Sequence, residues 1–216
     1  MTEIVPARAV LLDMDGTLVD STAVVERLWL AWAEPHGLSR ERVLSVIHGR
    51  QGHQSMAILL PERDHEINLR ENAEMLANEA EDVDGVVAIA GADRLLTALR
   101  DHPHAIVTSA DATLMKARMG EAALAIPELA ITAESVASSK PDPEGFLRAA
   151  EMLGVAPADC VVFEDSDAGI QAAHAAGMRV VGVGAAARAH SPEFHVDDLS
   201  RVSVAPAAEG FALHIG

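Results

Sequence analysis

Asp13 and Asp15 stand two residues apart in the run Asp13-Met14-Asp15-Gly16-Thr17-Leu18. Carboxylates this close repel each other unless a proton or a cation compensates. A second acidic pair, Glu164 and Asp165, occurs in Glu164-Asp165-Ser166. Four carboxylates in one crevice call for a hard divalent cation, and Mg²⁺ suits a few carboxylates plus waters and a substrate phosphate. Lys140 heads Lys140-Pro141-Asp142-Pro143, where two prolines fix the backbone. The chain has fourteen Arg but only two Lys, Lys116 and Lys140. A compact ammonium beside such a metal would hold a phosphate and offset the charge of Asp13. The Thr108 hydroxyl and the Ser109 amide could also donate to a phosphate oxygen.

These groups converge only if the elements before them do. Ala9-Val10-Leu11-Leu12, Ala105-Ile106-Val107 and Cys160-Val161-Val162-Phe163 are short continuous apolar runs. Such runs form strands buried on both faces of a parallel sheet. Each ends in one of the polar groups above, and open α/β sheets bind ligands beyond the carboxyl ends of their strands. Helical patterns are expected over about 92–99, 113–122 and 168–175, with another opened by Lys140-Pro141-Asp142-Pro143 and running to about 153. A short strand is expected near 129–131, another over 179–183, and a last one near 202–204. Strands alternating with helices predict a parallel sheet with crossover connections. Between Leu18 and about Val83 only helical periodicity is seen. Helices are expected over 24–34, from Ser39, over 54–60 and over 64–80, with Ser21 or Thr22 capping the first. His48 to His53 reads as a polar, glycine-punctuated loop, and Asp82 to Ala90 as a return linker. The insertion therefore spans about 19–85, inside a core made of 1–18 and 86–216.

Composition narrows the class. The chain has 216 residues, half of them hydrophobic, with 3% aromatic and no Tyr, so its core is Val, Leu, Ile and Ala. A net charge of -17 argues against binding nucleic acid or anionic membranes. One cysteine, Cys160, gives no internal disulfide and fits a reducing compartment. No apolar run approaches the roughly 18 residues of a membrane span. A soluble cytoplasmic protein, monomeric or a small homo-oligomer, is expected.

Four stretches in this order resemble the four motifs of the haloacid dehalogenase superfamily. They are Asp-x-Asp-Gly-Thr after a strand, Thr-Ser ending another, Lys-Pro-x-Pro, and Glu-Asp-Ser-x-Ala-Gly-Ile. The insertion resembles that superfamily's type-1 helical cap on a Rossmann-like core. The Ile47-His48-Gly49-Arg50 stretch and FEDSDAGI resemble the branch of sugar- and polyol-phosphate phosphatases. The resemblance implies that Asp13 is the nucleophile, forming an aspartyl-phosphate, and that Asp15 is the acid and base. It implies that Asp13, the Asp15 carbonyl and Asp165 hold Mg²⁺, with Glu164 a ligand or a group behind one. Thr108 and Lys140 would bind the phosphoryl group.

A β-phosphoglucomutase-like isomerase would share every one of these residues. Thr17 and the His-Gly-Arg stretch favour the phosphatase. A phosphonatase needs a lysine in the cap, and the insertion has none. A metal-free dehalogenase has no need of Glu164 and Asp165, and a non-catalytic phosphometabolite-binding protein has no need of the full set. Within the cap, Arg50 is the leading candidate for a substrate contact, ahead of His48, Gln51 and His53. Trp29 and Trp32 share a helix face and are expected to pack inside the cap, and His36 is expected to be structural.

Overall fold

The computed structural model describes residues 2–47 and 51–216. In chain order the elements are β1 (Glu3–Ala7), β2 (Ala9–Leu12), β3 (Val19–Asp20), α1 (Thr22–Ala33), α2 (Arg40–Leu44), α3 (Gly52–Leu59) and α4 (His65–Glu81). There follow β4 (Val87–Ala88), α5 (Ala92–Leu99), β5 (His104–Val107), α6 (Ala112–Glu121), β6 (Ala130–Ile131) and α7 (Glu144–Leu153). The chain closes with β7 (Cys160–Glu164), α8 (Asp167–Ala175), β8 (Arg179–Val183), α9 (Gly184–Ala187), β9 (Phe194–Val196), β10 (Val202–Pro206) and β11 (Phe211–Ile215).

A six-stranded parallel sheet in the order β6-β5-β2-β7-β8-β9 forms the core. Every residue of β2 is buried, as befits a strand covered on both faces. Successive residues point to opposite faces, and the packing follows that alternation. Val10, Leu12, Ile106, Val161 and Phe163 pack with Leu95 and Leu99 of α5 and Met115 of α6. Leu11, Ala105, Val107 and Val162 pack on the other side with Phe146 of α7 and Ile170 of α8. This is the α/β, Rossmann-like class expected, with an inserted all-helical cap.

Helices α1 to α4 form the cap, which has an apolar cluster of its own around Trp29, Val43, Ile47, Met56 and Leu59. The two connections to the core run side by side. β3 pairs antiparallel with β4, Val19 opposite Ala88 and Asp20 opposite Val87. This small ribbon lies where the sequence suggested only linkers, since two-residue strands leave no periodic signal. Gly52 and His53, read as loop, are the first residues of α3.

A three-stranded antiparallel sheet, β1-β11-β10, flanks the core. Val5, Phe211, Leu213 and Ile215 from it join the main core cluster. Of these strands only β10 was expected. Pro6 in β1 speaks against a strand, yet β1 is an edge of this sheet, where proline is tolerated. No helix of the described residues is long and apolar enough to cross a membrane.

Candidate active site

The three central strands end together. Asp13 extends β2 by donating its amide to the Phe163 carbonyl at 3.0 Å, so it sits beside the end of β7. The chain then turns back sharply, with the amides of Thr17, Leu18 and Val19 all donating to the Met14 carbonyl. Gly16 takes φ +87°, a conformation that favours glycine. A Cβ at Gly16 would lie 2.1 Å from an Asp165 carboxylate oxygen, and one at Gly169 would lie 1.8 Å from Glu164 Oε1. Both acidic side chains are therefore seated directly against backbone.

Lys140 is buried between two carboxylates. Its Nζ donates to Asp13 Oδ1 at 2.6 Å and to Glu164 Oε1 at 2.7 Å. Burial opposes the ammonium charge, but Asp13 and Glu164 outweigh it and hold the Lys140 pKa above its ordinary value. Glu164 Oε2 accepts from the amide and hydroxyl of Ser166, at 2.8 and 3.0 Å. Both oxygens of Glu164 are thus engaged by protein donors. Ser166 in turn caps α8 by accepting from the Gly169 amide at 3.1 Å.

Carboxylate oxygens of Asp13, Glu164 and Asp165 lie within 4.8 Å of one another. One ammonium does not balance three acids in a buried site. Burial pushes the Asp13 pKa up to about 8, with Glu164 and Asp15 adding to the rise against the pull of Lys140. Asp165 is raised well above its ordinary value by burial, then by Glu164 and Asp13. This excess affinity for protons, in an all-oxygen donor set, fits a hard divalent cation.

Asp15 is held on both oxygens. Ser21 Oγ donates to Oδ1 at 2.6 Å, and Arg118 Nη1 donates to Oδ2 at 2.7 Å. Arg118 Nη2 continues to Glu79 Oε2 on α4, also at 2.7 Å. The expected capping role for Ser21 is thereby corrected. Its hydroxyl makes no cap bond and serves Asp15, while Asp20 Oδ1 accepts from the Thr22 amide at 3.0 Å. Burial raises the Glu79 pKa to about 7, with Arg118 opposing the rise and Asp15 adding to it.

Arg118 and Glu79 were not singled out in the sequence. A signal was there: Arg118 follows Leu114 and Met115 on the buried stripe of α6, and Glu79 follows Met75 and Leu76 on α4. A charge on an inward stripe is costly unless paired.

Above these groups is a cavity of about 420 Å³ between core and cap. Asp13, Asp15, Thr108, Ser109 and Asp165 line its core end. Trp29, Gln51, His53, Asn72, Met75 and Glu79 line its cap end. Thr108 ends β5 with its amide on the Ile131 carbonyl, and its Oγ1 accepts from the Ala110 amide at 3.1 Å. Ser109 Oγ is buried and has no hydrogen-bond partner among the described residues. Burial, helped by His65, lowers the His53 pKa. Trp32 donates to Glu71 at 2.7 Å and packs against His36 with the two rings tilted by 56°, so both pack within the cap. His48 and Arg50 lie outside the described residues.

Residues 7–177 match the family model of haloacid dehalogenase-like hydrolases. The chain is 38% identical to hexitol phosphatase A of Escherichia coli over 205 residues, 93% of this chain and 95% of that one. It is 31% identical to 2-deoxyglucose-6-phosphate phosphatase 2 of Saccharomyces cerevisiae over 202 residues, 80% and 78% of the two chains. In fold it is similar to β-phosphoglucomutase from Clostridium difficile, with a TM-score of 0.79, 21% identity and coverage of 91% and 93%. A family match over most of the chain and curated relatives above 30% identity agree with the site: this protein belongs to the haloacid dehalogenase-like hydrolase family.

Proposed function

We propose that the protein hydrolyses small sugar or polyol phosphate monoesters with Mg²⁺, through a phosphoryl group carried on Asp13. The observation that carries this reading is the placement of Asp13 and Asp15 at one end of the cavity between core and cap, with Lys140 and the acidic pair around Asp13. In it, residues 19–85 cap a core made of 1–18 and 86–216. The cap end of the cavity mixes Gln51, His53 and Asn72 with Trp29 and Met75. That mixture suits a chain of hydroxyls on a carbon skeleton. The two relatives named above, a hexitol phosphatase and a 2-deoxyglucose-6-phosphate phosphatase, belong by name to the same substrate class.

Asp13 attacks phosphorus with a carboxylate oxygen, and the bond to the substrate oxygen breaks. Asp15 gives its proton to that leaving oxygen, then takes one from the water that hydrolyses the aspartyl-phosphate. Lys140, the Thr108 hydroxyl and the Ser109 amide hold the phosphoryl oxygens, and Lys140 also favours the ionised form of Asp13 against the effect of burial. Asp13, the Asp15 carbonyl and Asp165 would hold Mg²⁺, with Glu164 orienting Lys140 from behind; the ion supplies positive charge beside the transferring group.

Phosphate release from a panel of hexitol, hexose and glycerol phosphates tests the reading. Asp13→Asn should abolish release while the fold is kept. Residual kcat above a few per cent, free of wild-type contamination, refutes the role of Asp13. Conversion of glucose 1-phosphate without net phosphate release points instead to a mutase.

A further inference from the structure

We propose that Arg118, seated by Glu79 of the cap, is a positioning residue that decides which oxygen of Asp15 carries the transferred proton; this rests on the phosphatase reading above. A guanidinium has five donors and no acceptor. Asp15 Oδ2, facing Arg118 Nη1 at 2.7 Å, can therefore only accept. Asp15 Oδ1 faces the Ser21 hydroxyl at 2.6 Å, and a hydroxyl both donates and accepts. When Asp15 carries the proton of the reaction, only Oδ1 has room for it, with the Ser21 hydroxyl turning from donor to acceptor. When the bond between phosphorus and the leaving oxygen breaks, its electron pair stays on that oxygen. Oδ1 supplies the proton that turns it into an alcohol, and later takes one proton back from the attacking water.

Arg118 is itself placed by the cap. It belongs to α6 of the core, but its second donor, Nη2, meets Glu79 on α4 at 2.7 Å. The guanidinium is 4% exposed and the Glu79 side chain 7%, so neither has water as an alternative partner. Withdrawal of α4 would leave Arg118 with one partner and free to turn away from Asp15. Proton donation is thereby tied to a cap seated on the core, and an acid left uncovered lacks its fixed orientation. Both residues line the cavity, on the side where the leaving group would extend.

The test uses two leaving groups. An alkyl phosphate releases a strongly basic alkoxide and needs the proton. p-Nitrophenyl phosphate releases a weakly basic phenolate and does not. The ratio kcat/KM reports steps only through formation of the phosphoenzyme. Arg118→Met should lower kcat/KM by about 30- to 300-fold for the best alkyl phosphate of the panel, around the lower end of the usual worth of general acid catalysis because the acid itself is kept. It should lower the value for p-nitrophenyl phosphate by less than about threefold. Arg118→Lys keeps the charge but puts its donors on one shorter-reaching nitrogen in place of a planar fork, and should fall between wild type and Arg118→Met. Glu79→Ala should show the same selective loss with a smaller factor, and it decides the matter if Arg118→Met does not fold. Equal fractional losses on the two substrates, or no loss on either, overturn the proposal. A folded wild-type protein inert to the whole panel and to p-nitrophenyl phosphate overturns the phosphatase reading, and this proposal with it.

Discussion

Lys140→Ala removes the donor shared by Asp13 and Glu164, the two carboxylates bonded to it at 2.6 and 2.7 Å. All three groups are buried. Deleting one partner of a buried pair strands the other charge and costs about 3–5 kcal/mol. In a chain of this length each kcal/mol moves the melting temperature by about 2–4 °C. A fall of about 6–20 °C is expected in EDTA. The deficit should depend on pH with a definite sign. Asp13 titrates at about 8 in the folded protein, above its ordinary 3.8. A carboxyl whose folded pKa is raised contributes stability below its unfolded pKa and loses it as pH rises through the folded one. Removing Lys140 raises that folded pKa further, so the deficit should be smaller at pH 5 and should grow as pH rises through and beyond 8. Calorimetry of both proteins at the two pH values measures it. A change under about 2 °C at both, or a deficit larger at pH 5, refutes the argument. Catalysis should fall about 10²- to 10³-fold in kcat, without rescue by Lys140→Arg.

Gly16→Ala should destabilise the protein by about 1–3 kcal/mol from φ +87° alone, and by more because its Cβ displaces Asp165; an unchanged melting temperature with full activity would contradict the packing described. Chelation should abolish turnover, and added Mg²⁺ should restore it while raising the melting temperature by binding the native state; full activity in EDTA-treated enzyme would exclude the metal. Burial, then Asp159, raises the Cys160 thiol to about 11, so native protein at pH 8 should resist Ellman's reagent while protein in guanidinium reacts at once. Stoichiometric labelling of the native protein within minutes would show that β7 opens freely.

The edge of the sheet that carries the candidate site was legible because buried parallel strands are written as unbroken apolar runs, and Asp13, Thr108 and Asp165 directly follow β2, β5 and β7. Lys140 stood out because lysine is rare in this chain. The second layer of the site was not legible. Ser21 reads equally well as a helix cap, and its true partner depends on how the chain turns at Gly16. Arg118 and Glu79 lie 39 positions apart on helices of different layers, and only docking of cap on core brings them together. β1 and β11 were hidden for a related reason. Each is short, and their antiparallel pairing gives neither a local turn to announce it.

That pairing sets an order in time. Glu3 lies opposite Ile215 and Ala7 opposite Phe211. At about 5–20 residues per second of synthesis, the first strand waits on the order of 10–40 s for the strand that will hold it. During that wait β2 and its parallel neighbours can assemble without it, but Val5 has no place to go. The nascent chain therefore carries β1, with its buried Val5, unpartnered until β11 has been made. The flanking sheet closes last, as a clasp drawn across a core already formed.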